Sequence, residues 1–87
     1  MTHNLKIKKI FWQDIISGIK TFELRKDDRN YQVGDEIHFT VIDDLEKTTE
    51  DNDHVFVITY ILKDVPQYGL ADGYAILGIK TKIAFAN

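Results

Sequence analysis

The chain has 87 residues and no cysteine, so we expect one small domain over residues 1–87, with neither a disulfide nor a cysteine-ligated zinc ion. Its 44% hydrophobic and 29% charged content is typical of a folded, soluble chain, and no apolar run approaches the ~20 residues that span a bilayer. The N-terminus lacks the apolar segment of a signal peptide, so we expect a cytoplasmic protein without a membrane partner.

The net charge of -3 is unevenly distributed along the chain. Residues 1–29 hold seven Lys and Arg against four acids, whereas residues 30–87 hold four Lys against ten acids. The acidic total argues against a histone-like protein that binds nucleic acid by charge alone. The asymmetry allows a local basic face on an acidic body, and ordinary solvated charge is the alternative.

The first part of the chain predicts a strand followed by a short helix. Leu5 and Ile7 alternate with lysines, which indicates a half-buried strand at 5–8. Apolar residues then recur at the i, i+3, i+4, i+7 spacing of an amphipathic helix, at Trp12, Ile15, Ile16 and Ile19. Gly18 provides the left-handed conformation that commonly ends a helix.

Four further strands are predicted after the helix. In the first, 21–25, period-two geometry places Phe22 and Leu24 on one face and Glu23 with its polar neighbours on the other. Lys20 is expected in the turn before this strand, from which its long side chain can swing toward the polar face. The other three strands are predicted at 36–42, 54–63 and 74–83.

The remaining segments refine the prediction of the fold. Residues 43–53 hold six acids without periodicity and predict a solvated loop. Both faces of 54–63 are apolar, which predicts burial on both sides, and Gly78 predicts a bulge or close packing. About five strands and one N-terminal helix favour a mixed α+β, mainly β fold, built as a small curled barrel with the helix packed against it.

The segment 18–25 resembles the G-x-K-x-x-E-x-R signature of ASCH domains, a branch of the PUA-like barrel superfamily; its fixed positions are Gly18, Lys20, Glu23 and Arg25. An R-x-x-x-x-G-D stretch follows from Arg29 to Asp35. The flanking residues resemble a small bacterial and phage branch classed as a domain of unknown function. The resemblance covers almost the whole chain outside 43–53.

This resemblance implies a PUA-like barrel with a cleft between helix and barrel, and related domains bind RNA. One ASCH group hydrolyses the amide of N4-acetylcytidine with the signature lysine as a catalytic residue, and Lys20 matches that position. That group uses a threonine three residues later, where this chain has Glu23, and a further glutamate beyond the signature. The last glutamate of this chain is Glu50.

Six residues are candidates for binding a nucleic acid or a nucleotide: Lys20, Glu23, Arg25, Lys26, Arg29 and Tyr31. Cationic side chains could hold a phosphate or a carbonyl oxygen, and the carboxylate could accept hydrogen bonds from a base or act as a general base. The alternatives are an exposed ion pair worth at most ~1 kcal/mol, and a charged turn at residues 26–30. Tyr31 is expected at the surface, whereas Trp12 is expected in the core rather than stacked on a base.

Other chemistries have no support in the sequence. The three histidines lack metal-ligand spacing, the single serine lacks a nucleophile motif, and no glycine-rich phosphate loop is present, so no metal or cofactor is expected. We predict a module that binds RNA or a modified nucleotide. The alternatives are a metal-independent amidohydrolase acting on an acylated nucleoside, with Lys20 and Glu23 as catalytic residues, and a regulatory protein-interaction domain that uses the acidic loop.

Overall fold

The computed structural model describes residues 1–50 and 52–82 of the chain. The elements in these residues are β1 (Thr2–Lys8), α1 (Lys9–Ile16), β2 (Phe22–Lys26), β3 (Glu36–Ile42), β4 (Thr48–Glu50), β5 (Phe56–Lys63), a 3-10 turn (Pro66–Tyr68) and β6 (Tyr74–Thr81). The fold is therefore α+β and mainly β, with one short helix near the N-terminus, as the sequence predicts. No helix in the described ranges is long and apolar enough to cross a membrane.

The strands form one six-stranded sheet with the order β1-β3-β5-β6-β2, and β4 pairs with β3 beside this path. β1 and β3 are parallel, whereas the other pairs are antiparallel. The predicted closure into a barrel is wrong, because β1 and β2 are the two ends of the path and share no ladder in the described part of the chain. Side chains bridge this gap instead: Arg25 Nη1 donates to the Lys6 carbonyl at 2.9 Å, and Arg29 Nη1 donates to the Asn4 carbonyl at 3.1 Å.

The helix is shorter than its apolar spacing predicts. α1 ends at Ile16, the chain turns through Gly18 at φ 82°, and Ile19 lies beyond the helix with 79% of its surface exposed. Only Trp12 and Ile15 of the predicted stripe reach the core, because α1 packs on β1 and β3 along little more than two turns. The prediction that Trp12 belongs to the core is confirmed.

Two strand predictions need correction. β4 lies within the predicted loop 43–53, because Thr48 and Glu50 pair with Ile42 and Val41 at the end of β3. Of that loop, Asp51 lies outside the described residues, as does Ile83 at the predicted end of the last strand. β5 is buried on one face only: Phe56 and Ile58 are in the core, whereas Tyr60 and Leu62 on the outer face are exposed, since α1 covers another part of the sheet.

The core lies on the inner side of the curled sheet, around fully buried residues from several strands: Leu5, Ile37, Phe39, Val41, Ile58 and Leu77. Trp12 of α1 packs against this core, and the centre of its ring lies 6.1 Å from those of Phe39 and Phe56, in edge-on contacts. Gly78 of β6 faces a register shift of β5 between Ile58 and Tyr60, which confirms the predicted bulge or close packing. A Cβ atom at Gly78 would lie only 3.1 Å from Thr59 Oγ1.

Candidate functional site

Glu23 is a buried carboxylate in the middle of β2. The predicted alternation of this strand is confirmed, and it is the charged face that points inward: Glu23 is 6% exposed, whereas Phe22 and Leu24 are about half exposed. The register explains this orientation, because Glu23 is paired with Leu77 of β6, which is fully buried on the inner side of the sheet. A buried carboxylate requires partners, since its isolated burial would cost far more than a small fold can offset.

Two cations provide those partners. Lys20 Nζ lies 2.6 Å from Glu23 Oε1, and Arg25 Nη1 lies 3.1 Å from Glu23 Oε2. Lys20 sits in the turn between α1 and β2, as predicted, and its backbone N–H donates to the Asp14 carbonyl at 2.9 Å. Arg25 follows Glu23 by two residues and so points to the same side of the strand. We call Lys20, Glu23 and Arg25 the ion triad.

The Lys20 ammonium is further held by aromatic rings. It lies 5.0 Å from the centre of the Phe22 ring and 5.7 Å from that of Phe11 on α1, both within the range of cation–π attraction. It also donates to the Phe22 carbonyl at 2.8 Å. Two of its three N–H groups are thus engaged, and the third has no partner in residues 1–50 and 52–82.

The ion triad forms one wall of an open cleft of about 460 Å³ between β1, α1 and β2. The cleft is lined by Lys6, Ile7, Lys8, Phe11, Lys20, Phe22, Glu23, Leu24 and Arg25. Its charged lining carries four cations against one carboxylate. The cleft follows the gap between the two ends of the sheet, so its existence depends on the sheet remaining open there.

A second hollow of about 340 Å³ adjoins the cleft and shares Leu24 and Arg25 with it. Its other lining residues are Lys26, Asp28, Arg29 and Tyr74. The candidate residues Lys26 and Arg29 are therefore brought beside the ion triad, on the opposite side of the Arg25 side chain. Both spaces are basic, and the cleft also has apolar side chains, those of Ile7, Phe11 and Phe22, that the second hollow lacks.

Tyr31 does not have the predicted surface position. It is 3% exposed, and its ring packs on that of His3 at 4.7 Å between centroids. Burial raises the pKa of the Tyr31 hydroxyl above its ordinary value of 10.0, and the positive charges of Arg25 and Arg29 partly oppose this shift. Tyr31 thus supports the two arginines from inside the fold and does not offer a stacking face to solvent.

Sequence reasoning missed a buried pair behind Tyr31. His3 Nε2 donates to Asp35 Oδ2 at 2.8 Å, and the Gln32 backbone N–H donates to the same oxygen at 3.1 Å. The hydrogen bond from His3 is the main reason that the pKa of Asp35 lies below its ordinary value of 3.8. One signal was available: His3 shares the period-two spacing of Leu5 and Ile7, which places it on the buried face of β1.

The arrangement offers donors to an anionic or carbonyl oxygen and a fixed carboxylate that can accept hydrogen bonds from an N–H group. No group of three or more His, Asp or Glu side chains that could hold a metal ion occurs among the residues described.

A family model with the description "Domain of unknown function (DUF3850)" matches residues 2–79, which include every residue of the cleft and of the second hollow. No curated protein matches the chain.

Proposed function

The chain belongs to the family described as a domain of unknown function, DUF3850, and we propose, from the site and from the resemblance of segment 18–25, that it is a nucleotide- or RNA-binding module of the ASCH branch of the PUA-like superfamily. The observation that carries the proposal is Glu23, buried between Lys20 and Arg25 on the wall of an open cleft. The resemblance of segment 18–25 to the ASCH signature supports the same assignment.

The cleft fits a nucleobase in size and in chemistry. Its volume of about 460 Å³ lies within the ~300–1,000 Å³ typical of small-molecule sites. Phe11 and Phe22 offer apolar ring faces at its rim, and the Glu23 carboxylate accepts hydrogen bonds only. Such a carboxylate favours a base edge that carries an amino or imino donor, and the remaining N–H of Lys20 suits an adjacent carbonyl oxygen.

The phosphate of the bound nucleotide would lie toward the second hollow. Arg25 belongs to both spaces, and Lys26 and Arg29 lie on its far side. Guanidinium groups bind phosphate oxygens through directional, charge-assisted hydrogen bonds. The protein would thus bind the base and the phosphate in neighbouring spaces, although its net charge of -3 is unfavourable for nucleic acid overall.

Fluorescence anisotropy with a labelled single-stranded RNA hexamer tests this function. We expect salt-dependent binding that Arg25→Ala weakens at least tenfold and that Lys47→Ala, which removes a lysine outside both hollows, leaves unchanged. Equal losses in the two variants would show that only overall charge matters, and the proposed site would then be wrong.

The 2.6 Å contact between Lys20 and Glu23 also supports a second function, an amidohydrolase acting on an acylated nucleoside. In this reaction water adds to the amide carbonyl, the C–N bond breaks, and the products are a carboxylic acid and the free nucleoside amine. Glu23 would take the proton from water and Lys20 would stabilise the oxyanion. Release of acetate from N4-acetylcytidine that Lys20→Ala abolishes would support the enzyme. No release, together with intact RNA binding, would exclude it for this substrate.

A further inference from the structure

The outer face of β5, β6 and β2 carries a contiguous apolar surface, of which only the β2 residues also line the cleft. Directly opposed residues of antiparallel strands point to the same face, so the register defines this surface row by row. Phe22, Gly78 and Tyr60 form one row, and Leu24, Ile76 and Leu62 form the next. We call these two rows the outer platform.

The outer platform is open to solvent. Tyr60 is 64% exposed and Leu24 53%, and Phe22 is nearly half exposed. Phe22 and Tyr60 stand about 10 Å apart, which is two strand spacings, and the Thr59 hydroxyl lies over Gly78 on this face. Contiguous exposed apolar surfaces of this kind on a small domain usually mark a binding site.

The charges at the ends of the platform indicate an anionic ligand. The next outward residues are Lys26, opposite Tyr74, at one end and Lys80, opposite Val57, at the other. The rows of Phe22 and Leu24 contain no acid. The row of Lys80 and Val57 continues to Glu36 of β3, which pairs with Lys82, so this end of the platform carries two lysines against one acid. Exposed rings between lysines match the planar bases and charged backbone of single-stranded nucleic acid.

The platform is also continuous with the cleft, since Phe22 and Leu24 line both. From this continuity we propose that the outer platform stacks the nucleotides that flank the one bound in the cleft, with Tyr60 and Phe22 as the stacking residues. The ligand is therefore single-stranded RNA that extends over both surfaces and not an isolated nucleotide. The choice of RNA as the ligand rests on the proposed function.

Tyr60→Ser tests the platform, with Tyr68→Ser as the matched control, because Tyr68 is exposed on the 3-10 turn and lies outside these rows. Anisotropy with a single-stranded RNA hexamer is compared with calorimetric titration of cytidine monophosphate. We expect Tyr60→Ser to weaken hexamer binding roughly tenfold and to leave binding of the mononucleotide unchanged, since one stacked base is lost. Tyr68→Ser should alter neither, and Tyr60→Phe should retain hexamer binding.

The two proposals fail in different ways. If the mononucleotide binds and Lys20→Met abolishes this, but Tyr60→Ser leaves hexamer binding intact, the platform is wrong and the cleft stands. If the hexamer binds with the Tyr60 dependence but the mononucleotide does not bind, the cleft is wrong and the platform stands. If only the mononucleotide binds, the platform is wrong and the cleft stands, and if neither ligand binds, both are wrong. Sedimentation experiments test whether the chain forms a dimer. If Tyr60→Ser dissociates such a dimer but RNA does not, the platform binds a second copy of this chain, and the proposal is overturned.

Discussion

Replacing Glu23 by glutamine tests whether the ion triad is a buried unit of the fold. The substitution keeps the shape of the side chain but removes its charge, so Lys20 and Arg25 lose the carboxylate that faces both of them at 2.6 Å and 3.1 Å. The amide oxygen can accept from only one side, and its NH₂ group faces a cation. Two positive charges are then left close together without a counter-charge.

The expected cost lies between two limits. Removing one partner of a fully buried ion pair costs ~3–5 kcal/mol, whereas an exposed pair contributes ~0–1 kcal/mol. The Glu23 side chain is 7% exposed, but those of Lys20 and Arg25 are 16% and 24% exposed, so water can solvate the cations in part. We therefore expect Glu23→Gln to lower the free energy of unfolding by about 2 kcal/mol. In a domain of this size each kcal/mol corresponds to roughly 4–8 °C in Tm.

Urea unfolding at neutral pH measures this loss, and Glu46→Gln is the matched control. Glu46 forms an exposed pair with Lys6 at 3.9 Å, so its substitution should change stability by less than about 0.5 kcal/mol. In a double-mutant cycle, Lys20→Met with Glu23→Gln should cost less than the sum of the single changes. Equal effects of the two glutamine variants, or strict additivity in the cycle, would refute a buried triad.

Three further predictions concern residues around the site. The pKa of Asp35 is lowered in the folded state, so the ionised carboxylate stabilises the fold at neutral pH, and this effect is lost as the pH falls from about 3.8 through the lowered value. The difference in unfolding free energy between wild type and Asp35→Asn should therefore disappear in acid. A difference that does not depend on pH would contradict this prediction. Gly78→Ala should lower the free energy of unfolding by about 1 kcal/mol, because the new methyl group contacts Thr59. Adding Thr59→Ala to this variant should restore part of the lost stability, and no restoration would show that the contact is not the cause. Arg25→Lys should lower Tm, because one ammonium group cannot replace a guanidinium that donates both to the Lys6 carbonyl of β1 and to the Glu23 carboxylate. An unchanged Tm would show that this bridge is dispensable.

Local patterns predicted the elements and part of the site. Period-two spacing correctly grouped Glu23 with Arg25, and the turn position of Lys20 followed from Gly18 just before it. The sequence could not show which face of β2 is the inner one, because both faces carry residues that could be buried. The answer depends on the pairing of β2 with β6, which lies some fifty residues further along the chain.

Long-range pairing also explains the failures. Tyr31 follows a charged turn and so was expected at the surface, but the chain folds back onto β1, where the His3–Asp35 pair fixes the turn and buries the ring. The composition of β5 is that of a covered strand and predicts burial of its outer face as well. The short α1 covers β1 and β3 instead and leaves this face open.

Binding of a nucleotide by the ion triad and the cleft can be followed residue by residue. Titration of the ¹⁵N-labelled protein with cytidine monophosphate, followed by two-dimensional NMR, tests it most directly. We predict that saturable shifts of the amide signals are concentrated at residues 6–8 and 20–25, the two strand segments that line the cleft, and that Lys20→Met abolishes them. An absence of shifts at millimolar ligand, or shifts at other residues that Lys20→Met leaves unchanged, would contradict binding in the cleft.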